Sequence, residues 1–493
     1  MSVLYTRSRW PPVLVSYAIG LVMSWSGSSH TSDVSTQPTC PALAHLRLPP
    51  EHLPYYLYSH PEVAAAVRND TQCYRQHWAL LPCWGYEEDC PPESRYSPPV
   101  CAQEWERGKR HKLSNTERFW RQAGFGYVRE QRRQLVTLCE ARSQEDSWLE
   151  CSHYARYCRG RNLYLDFRRL KIHENHFGKR FRRDILGPGD IGGRCKVITD
   201  RLKNMAGHEV HGLMSWYAEL ENFTSLNFRP TAGNENCDVI LDTPTYFMKL
   251  DLGINMYHHF CNFLNLYISQ HVNGSFSTDV NIIVWDTSGR SYMDMFGDAW
   301  RAFTDHPLIH LKDYDGKRVP GCNNSGLVRA FSRHVLYRLG IDHGRSQSCG
   351  LCFAQDGRLR VTLLSRTTRF RQVLNEDQHT QNTDIFIGIH GAGLTHALFL
   401  PDWACLLEIY NCGDEPCYRN LAALRGVGYV TWEGSAGLTQ MDELGTYKGG
   451  AYDKFVNYTV NPTEFRRLVE KAIMYVFNHP AFPSTHMHAK EEL

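Results

Sequence analysis

Apolar and polar positions alternate along the second half of the chain in a way that predicts its elements. From residue 237 onward, apolar runs of strand length alternate with segments of helical period. The runs predict strands at residues 237–241, 280–285, 309–311, 361–366, 385–389 and 404–410. The periodic segments predict helices at residues 255–269, 327–339 and 462–477. Strands that alternate with helices indicate an α/β fold with parallel sheets.

The helix predicted at residues 255–269 carries apolar side chains on one stripe, and His258 and His259 on the opposite face. An imidazole titrates near ~6.5, which suits the removal of a proton from a hydroxyl at neutral pH. We therefore take His259 as the first candidate for a general base and His258 as the second. The alternative for both is a structural hydrogen bond, which is the ordinary role of a histidine on a polar helix face.

The strand predicted at residues 385–389 runs directly into a glycine turn. A helix is predicted at residues 394–400, Pro401 ends it, and a second buried strand follows, so the segment predicts a βαβ unit. A helix that begins at such a strand end offers N–H donors to an anion, typically a diphosphate. The alternative is a turn that merely joins strand and helix. The candidate ligand-facing residues are His390, Gly391, Ala392, Gly393, Leu394 and Thr395.

Charged side chains flank this turn at the ends of neighbouring strands. Arg366 ends one strand, Arg371 follows it, and Glu408 lies near the end of another. Because the carboxyl ends of parallel strands meet at one edge of a sheet, we expect these side chains to converge on the turn. The arginines can then bind a diphosphate, and Glu408 can accept hydrogen bonds from a ribose. The alternatives are a solvated loop for the arginines and a buried pairing with one of them for Glu408.

The sequence leaves metal binding open. Asp313 and Asp315 form a D-x-D pattern, which can hold a divalent cation against a diphosphate. Cys349 and Cys352 form a C-x-x-C pair with no second pair after it, so a disulfide is favoured over zinc or redox chemistry. The net charge of +2 gives no global attraction to nucleic acid.

The N-terminal segment predicts entry into the secretory route. Arg7 and Arg9 precede an apolar run at residues 13–25 and small residues at 26–29, which is the pattern of a signal peptide. An uncleaved anchor is the alternative, although the run is short for a membrane span. No other stretch approaches that length. The sequons, which are candidate N-glycosylation sites, are Asn69, Asn222, Asn273, Asn323 and Asn457.

The cysteines and the last four residues agree with that route. The 17 cysteines suit an oxidising compartment, and the odd number leaves at least one thiol without an intrachain partner. The cysteines between residues 40 and 158 predict a disulfide-stapled N-terminal module, in which residues 115–140 have a helical pattern. The chain ends in Lys490, Glu491, Glu492 and Leu493, which resembles an ER retrieval signal. We therefore expect residence in the ER lumen and binding to the retrieval receptor.

The α/β blocks on either side of residue 320 predict two Rossmann-like domains that face a cleft. The predicted division is a signal peptide at 1–28, a linker at 29–48, a cysteine-rich module and the start of the first domain at 49–235, an acceptor-side Rossmann-like domain at 236–320, a donor-binding Rossmann-like domain with a closing helix at 321–480, and a tail at 481–493.

Several long motifs resemble those of the GT61 glycosyltransferase family, and together they cover nearly all of residues 50–490. In the second half they are TYFMKLDLGINMYHHFCNFLNLYISQHVNGSFSTDV, HGAGLTH and FLPDWACLLEIYNC. In the first half they are HLPYYL, CWGYEEDC, YCRGRNLYLDFR, IGGRCK and LNFRP.

The resemblance implies an inverting glycosyltransferase with a GT-B-like fold and a disulfide-rich N-terminal module. It also implies UDP-GlcNAc as the donor and Ser or Thr hydroxyls of folded EGF-like repeats as acceptors, in secreted, Notch-type and matrix proteins. By position, Arg366, Arg371 and residues 390–395 match donor-side motifs of the family, and His259 matches a recurrent His-aromatic element. Arginines and a helix N-terminus can stabilise the leaving UDP without a metal, so metal dependence stays open.

The chain departs from the family pattern in four places. The segments at residues 319–321 and 371–383 are much shorter, Asn262 stands where an Asp is expected, and Asp305 stands at the D-x-D-like place without a second acid. Two alternatives for the function therefore stay open. One is a catalytically impaired splice form or an ER protein that binds EGF repeats. The other is a GlcNAc-transferase that acts on O-mannosylated proteins.

Overall fold

The structure is a computed structural model that describes residues 4–7, 43, 46–67, 82–101, 114–166, 186–206, 215–230, 236–237, 239–249, 256–284, 297–306, 309–310, 322–338, 361–363, 383–409, 417–432, 438–440 and 458–482. The α-helices are α1 (Leu53–Ser59), α2 (Pro61–Val67), α3 (Asn115–Ala123), α4 (Phe125–Arg133), α5 (Thr199–Asn204), α6 (Tyr217–Leu220), α7 (Met256–Asn273), α8 (Gly326–Arg338), α9 (Cys417–Arg425) and α10 (Pro462–Asn478). Short 3-10 helices lie at Pro50–His52, Pro92–Ser94, His153–Ala155, Gly297–Ala302 and Ala392–Phe399.

The strands are β1 (Leu4–Arg7), β2 (Val100–Cys101), β3 (Val136–Glu140), β4 (Trp148–Cys151), β5 (Cys158–Arg161), β6 (Leu163–Asp166), β7 (Ile191–Gly193), β8 (Lys196–Val197), β9 (Thr224–Ser225), β10 (Val239–Leu241), β11 (Thr245–Met248), β12 (Asn281–Val284), β13 (Ile309–His310), β14 (Cys322–Asn323), β15 (Val361–Leu363), β16 (Ile385–Ile389), β17 (Cys405–Ile409), β18 (Gly428–Thr431), β19 (Leu438–Gln440) and β20 (Tyr458–Val460). The fold is therefore mixed α/β, as the sequence predicts.

The strands β15, β16, β17 and β18 form a parallel sheet with two covered faces. Odd-numbered residues of β16 and β17 pack under α10. Even-numbered residues pack under α9 and the 3-10 helix at Ala392–Phe399. Because successive side chains of a strand point to opposite faces and both faces are covered, these strands read as continuous apolar runs. The prediction of strands at residues 385–389 and 404–410 is confirmed.

The strands β11, β12 and β13 form a second parallel sheet, in which α7 connects β11 to β12. The helix is buried on almost every side, because it packs against α4, α8 and the 3-10 helix at Ala392–Phe399. The prediction that His259 lies on a polar helix face is wrong, since its side chain is buried, as are those of Asn262 and Asn265. Inside the fold, the Tyr157 hydroxyl donates to Asn265 Oδ1 at 3.2 Å.

Disulfides hold the N-terminal module, as the cysteine pattern predicts. They join Cys83 to Cys90, Cys139 to Cys195 and Cys151 to Cys158, and the last two brace the antiparallel sheet β5–β4–β3–β8. The odd number of cysteines predicts at least one thiol outside the disulfides, and Cys405 in β17 is such a thiol. Burial raises the pKa of Cys405 to about 12. A thiol with this pKa is protonated and inert at neutral pH.

The single helix predicted at residues 115–140 is wrong. The chain forms α3 and α4 with Gly124 between them in an extended conformation, and β3 follows from Val136. The break lets α4 fold back against Trp120. A Cβ added at Gly126 would lie 2.6 Å from the Trp120 ring, so only glycine allows this approach.

The strand β1 bears on the predicted signal peptide. In the structure of the full chain, Leu4–Arg7 lies between β6 and β10 in the five-stranded sheet β10–β1–β6–β7–β9. The sequence predicts instead that residues 1–28 lie outside the fold. The mature protein would then lack β1, and cleavage at that site stays a prediction.

Buried rings join the N-terminal module to α7. The Trp84 ring lies 5.1 Å from that of His52 and 5.0 Å from that of His271, between centroids. His271 Nδ1 and the Tyr86 hydroxyl share a hydrogen bond of 3.2 Å. Burial lowers the pKa of His52 to about 4, and burial also lowers the pKa values of His271 and His334 well below their ordinary range. These three imidazoles are therefore neutral in the folded protein.

A shared carboxylate joins α8 to the parallel sheet of the C-terminal half. Asp402, which precedes β17, forms ion pairs with Arg329 and Arg333 of α8 and with Arg425 at the end of α9. Burial raises the pKa of Asp402, but Arg425, Arg329 and Arg333 outweigh it and hold the pKa well below its usual range. Arg333 also pairs with Glu51 of the N-terminal module at 3.3 Å. Three parts of the chain thus meet at one charge cluster.

Most other predicted elements are confirmed, with shifted ends. The helix predicted at 255–269 continues to Asn273, and the helices predicted at 327–339 and 462–477 are α8 and α10. The sequence assigns α8 to the donor-binding domain, but its apolar side chains pack in the same core as those of α7. The domain division as a whole stays a prediction. None of the helices that the structure describes has the length and apolar character needed to cross a membrane.

Candidate active site

His390, Glu408 and Tyr429 form a hydrogen-bonded cluster at the parallel sheet β15–β18. His390 Nδ1 lies 2.6 Å from Glu408 Oε1, and the Tyr429 hydroxyl donates to Glu408 Oε2 at 2.5 Å. Glu408 is almost fully buried, and His390 keeps a small exposed fraction. Burial raises the pKa of Tyr429 well above its usual value, and the charge of Glu408 adds a smaller increase. Tyr429 is therefore a protonated donor to Glu408.

The strand register explains why these side chains meet. Gly388 pairs with Glu408, and His390 follows Gly388 on the same face of the sheet. Since Gly388 has no side chain, the His390 ring can reach back to Glu408. Tyr429 pairs with Leu406, which places its side chain on that face too. The predicted convergence of His390 and Glu408 is confirmed, and in the described part of the chain the side-chain partners of Glu408 are His390 and Tyr429.

The glycine turn leads into a helix with a different geometry from the one predicted. Ala392–Phe399 is a 3-10 helix, which begins two residues earlier than predicted. Leu394 and Thr395 are buried, and the Leu394 N–H donates to the Gly391 carbonyl at 2.8 Å. These two side chains belong to the core, so a bound ligand would contact the earlier residues of the turn. Ala392 and Gly393 are among these residues, and both are half-buried.

The first turn of α7 reaches the same edge through a row of rings. The Tyr418 ring of α9 lies 5.1 Å from the His390 ring, and the Tyr257 ring lies 5.8 Å from Tyr418. His258 follows Tyr257 and is half-buried. The structure therefore brings Tyr257, the residue before His258, close to the sheet edge that carries His390.

His259 does not fit its predicted role as the general base. Its side chain is fully buried, and its ring contacts those of Phe263 at 4.9 Å and Trp300 at 5.4 Å. A base must reach the proton that it removes, and this ring is enclosed by the core. Helical period gave the position of His259 but did not indicate which elements cover it.

Asp305 is not placed to hold a metal at the sheet edge that carries His390. It precedes β13, so it lies at the amino end of its strand, and it accepts hydrogen bonds from Arg47 and from the Thr278 hydroxyl. The Thr278 hydrogen bond and the Arg47 charge lower its pKa. Within the described residues, the one group at metal-ligand spacing is Cys83, Glu87 and Cys90, whose cysteines are joined in a disulfide.

Several predicted site residues lie outside the described residues: Arg366, Arg371, Asp313, Asp315, Cys349, Cys352, the sequons Asn69 and Asn457, and the terminal residues Lys490, Glu491, Glu492 and Leu493. Two other sequons have their amides engaged in the fold. Asn222 donates to the Leu186 carbonyl at 2.8 Å, and Asn273 donates to the Tyr246 hydroxyl at 3.4 Å. Asn323 lies on β14. Glycosylation of all five stays a prediction.

Arg419 is a residue at this edge that the sequence did not single out. It lies in the first turn of α9, and its Cζ lies 5.5 Å from the centroid of the Tyr429 ring. The signal that could have found it is its place at the start of the helix after β17, since this start faces the carboxyl end of the sheet.

The chain is similar over most of its length to N-acetylglucosamine transferases of several animals. It is 44% identical over 495 aligned positions to the EGF domain-specific O-linked N-acetylglucosamine transferase of Rattus norvegicus, covering 89% of this chain and 91% of the relative. The protein of that name from Mus musculus is 44% identical over 500 positions, covering 90% and 92%. The one from Drosophila melanogaster is 40% identical over 492 positions, covering 88% and 92%. No protein-family model matches the chain.

A parallel sheet with an imidazole, a carboxylate and a guanidinium group at its edge, in a chain with these relatives, defines a glycosyltransferase. The similarity extends over about nine-tenths of each relative. The chain belongs to the EGF domain-specific O-linked N-acetylglucosamine transferase family. Because 89% of the 493 residues is fewer than 495 aligned positions, the alignment contains gaps opposite this chain.

Proposed function

We propose that the protein transfers GlcNAc from UDP-GlcNAc to Ser or Thr hydroxyls of folded EGF-like repeats, with inversion at the sugar carbon, in the ER lumen. The observation that carries the proposal is the 44% identity over nearly the whole chain to relatives with that named activity. The signal-peptide pattern and the C-terminal Lys490–Leu493 support the location. The two parallel sheets, with α7 packed against the turn after β16, support a GT-B-like arrangement.

The chemistry divides between the two sides of the site. The bond between the sugar carbon and the diphosphate breaks, and its electron pair leaves with UDP. The acceptor oxygen bonds to the sugar carbon from the opposite face, and its proton passes to a base. We assign stabilisation of the leaving UDP to the edge of the β15–β18 sheet, where His390 lies. For the base we propose His258 rather than His259, since the first turn of α7 lies beside that edge.

The test is direct transfer. The purified protein, UDP-GlcNAc and a folded EGF repeat should yield a repeat heavier by one HexNAc in mass spectrometry. The same repeat, reduced and unfolded, is the matched control, and an O-mannosylated peptide tests the alternative acceptor. Anomeric analysis of the product by NMR tests inversion. If the protein neither transfers GlcNAc nor binds UDP, the proposal is wrong.

A second candidate function is an ER protein that binds EGF repeats or nucleotide without transferring sugar. The observation that favours it is the short length of the segments at residues 319–321 and 371–383. It predicts binding of the folded repeat with no HexNAc added. Transfer with several turnovers would exclude it.

A further inference from the structure

The helix α9 carries an arginine at each end, and their surroundings differ. Arg425, at the last position, is 4% exposed and donates to the carbonyls of Leu398 and Leu400 as well as pairing with Asp402. Arg419, in the first turn, is half-buried. Among the ion pairs of the described residues, none includes Arg419. Arg425 is thus committed to the fold, and Arg419 is not held by a carboxylate there.

The ring of Tyr429 holds Arg419 in place. The guanidinium carbon lies 5.5 Å from the ring centroid, which is within the range of a cation–π contact. Tyr429 is itself anchored, because its hydroxyl donates to Glu408 at 2.5 Å. A guanidinium group that rests on a ring face keeps its N–H groups at its edge, where two of them can meet one phosphate.

The charge at this edge also calls for an anion. Glu408 is hydrogen-bonded to His390 and to the Tyr429 hydroxyl, and in the described part of the chain no ion pair joins it to Arg419. α9 begins at the carboxyl end of β17, and ligands of parallel sheets bind beyond that end.

We propose that Arg419 binds the diphosphate of the nucleotide-sugar donor and stabilises the charge that develops on it as the sugar leaves. The inference rests on the proposed function, because it takes UDP-GlcNAc to be the donor. Tyr429 is then a positioning residue, which acts through Arg419, and Glu408 positions Tyr429 and His390 in turn.

The experiment measures binding of UDP and of uridine to the full-length protein by calorimetry. Arg419→Ala should weaken UDP binding about 10- to 100-fold, the usual loss for a hydrogen bond to a charged group. Uridine, which lacks the phosphates, should bind unchanged. Arg419→Lys should restore part of the UDP affinity, because it keeps the charge but loses the planar fork. If the alanine variant does not fold, Arg419→Gln carries the same comparison.

Three matched variants sharpen the result. Arg467→Ala removes an exposed arginine whose partner is Glu464, and it should leave both affinities unchanged. Tyr429→Phe keeps the ring under Arg419 and should retain more UDP affinity than Tyr429→Ala. In transfer assays, Arg419→Ala should lower kcat and raise KM for the donor. A loss of folded protein alone would leave both constants unchanged when they are calculated per folded molecule.

The outcomes are separable. An unchanged UDP affinity in Arg419→Ala, or an equal loss for UDP and uridine, overturns the inference and leaves the proposed function standing. If the wild-type protein transfers no GlcNAc and binds no UDP, the proposed function fails, and the inference fails with it.

Discussion

The two parallel sheets place their polar residues differently. In the sheet β15–β18, the polar groups His390, Glu408 and Tyr429 gather near the carboxyl edge and bond to one another. At the sheet β11–β13, His259 of the connecting helix α7 lies inside the core, and Asp305 lies at the amino edge. A polar residue at the carboxyl end of a strand is therefore a better indicator of an active site than a polar residue on a helix face. The strand end must stay open to a ligand, whereas a helix face can be covered by other elements.

Replacing His390 tests the reactive side of this comparison. We expect His390→Ala to lower kcat/KM for transfer about 100- to 1000-fold, as removal of a group that stabilises developing charge does. The melting temperature should also fall, because the buried Glu408 loses one of its partners, so activity is compared per folded molecule. His396→Ala is the matched control, because His396 lies in the same turn region but is exposed. Equal activity of the two variants would contradict the role of His390.

Replacing His259 tests the structural side. His259→Ala should destabilise the protein by about 3 kcal/mol, because it leaves a cavity between Phe263 and Trp300. Transfer per folded molecule should stay within about threefold, in contrast to a base variant. Chemical denaturation gives the stability, and His259→Phe, which keeps a ring in the site, should cost less. A loss of kcat at unchanged stability would return His259 to the role of base.

Acid should destabilise the core around His52 and Trp84 before the sheet β15–β18. Burial lowers the pKa of His52 to about 4, whereas a histidine in the unfolded chain titrates near 6.5. Well above pH 6.5 this histidine is neutral in both states, so its titration does not change the stability there. Below pH 6.5 the unfolded chain binds protons that the fold excludes, so stability falls as pH falls. Between pH 6.5 and 5.5 we expect a loss of about 1 kcal/mol from His52.

Denaturation of the wild type and of His52→Gln at both pH values measures this loss. The variant should lose less stability on acidification. The exposed His396→Gln should behave as the wild type. Identical pH dependence of all three proteins would exclude the buried imidazole as the cause.

The N-terminal strand gives the smallest expected effect. If residues 1–28 are a cleaved signal, a chain that begins at residue 29 should have the stability of the protein purified from cells, within about 0.5 kcal/mol. N-terminal sequencing of the purified protein locates the cut. Retention of Leu4–Arg7 in the mature protein, with a lower melting temperature on its removal, would show that β1 belongs to the native sheet.

The sequence predicts most of the fold because its signals are local. Apolar runs located β16 and β17, and helical period located α7 and α8, since both depend on neighbours in sequence. The meeting of His390 and Glu408 was also predictable, because both lie at the ends of adjacent parallel strands. The break at Gly124 was missed, although a glycine inside a helical pattern is a warning.

The burial of His259 and the partners of Glu408 could not be predicted in the same way. They depend on which elements pack against one helix face or one strand, and residues distant in sequence decide this. The position of Arg419 over Tyr429 depends likewise on how α9 crosses β18. A pattern of residue types contains the first kind of information and not the second.

The charge cluster at Asp402 has a consequence for how the protein can be divided. One carboxylate compensates arginines from α8 and α9, and Arg333 extends the cluster to Glu51. A fragment that ends before residue 383 would keep Arg329 and Arg333 without Asp402, and a fragment that starts there would keep Arg425 and Asp402 without α8. Because a partly buried charge that loses its partner is costly, neither fragment should be a good candidate for separate expression. Because the two halves share this cluster, a recombinant between two relatives should be stable only when both sides of the cluster come from the same parent.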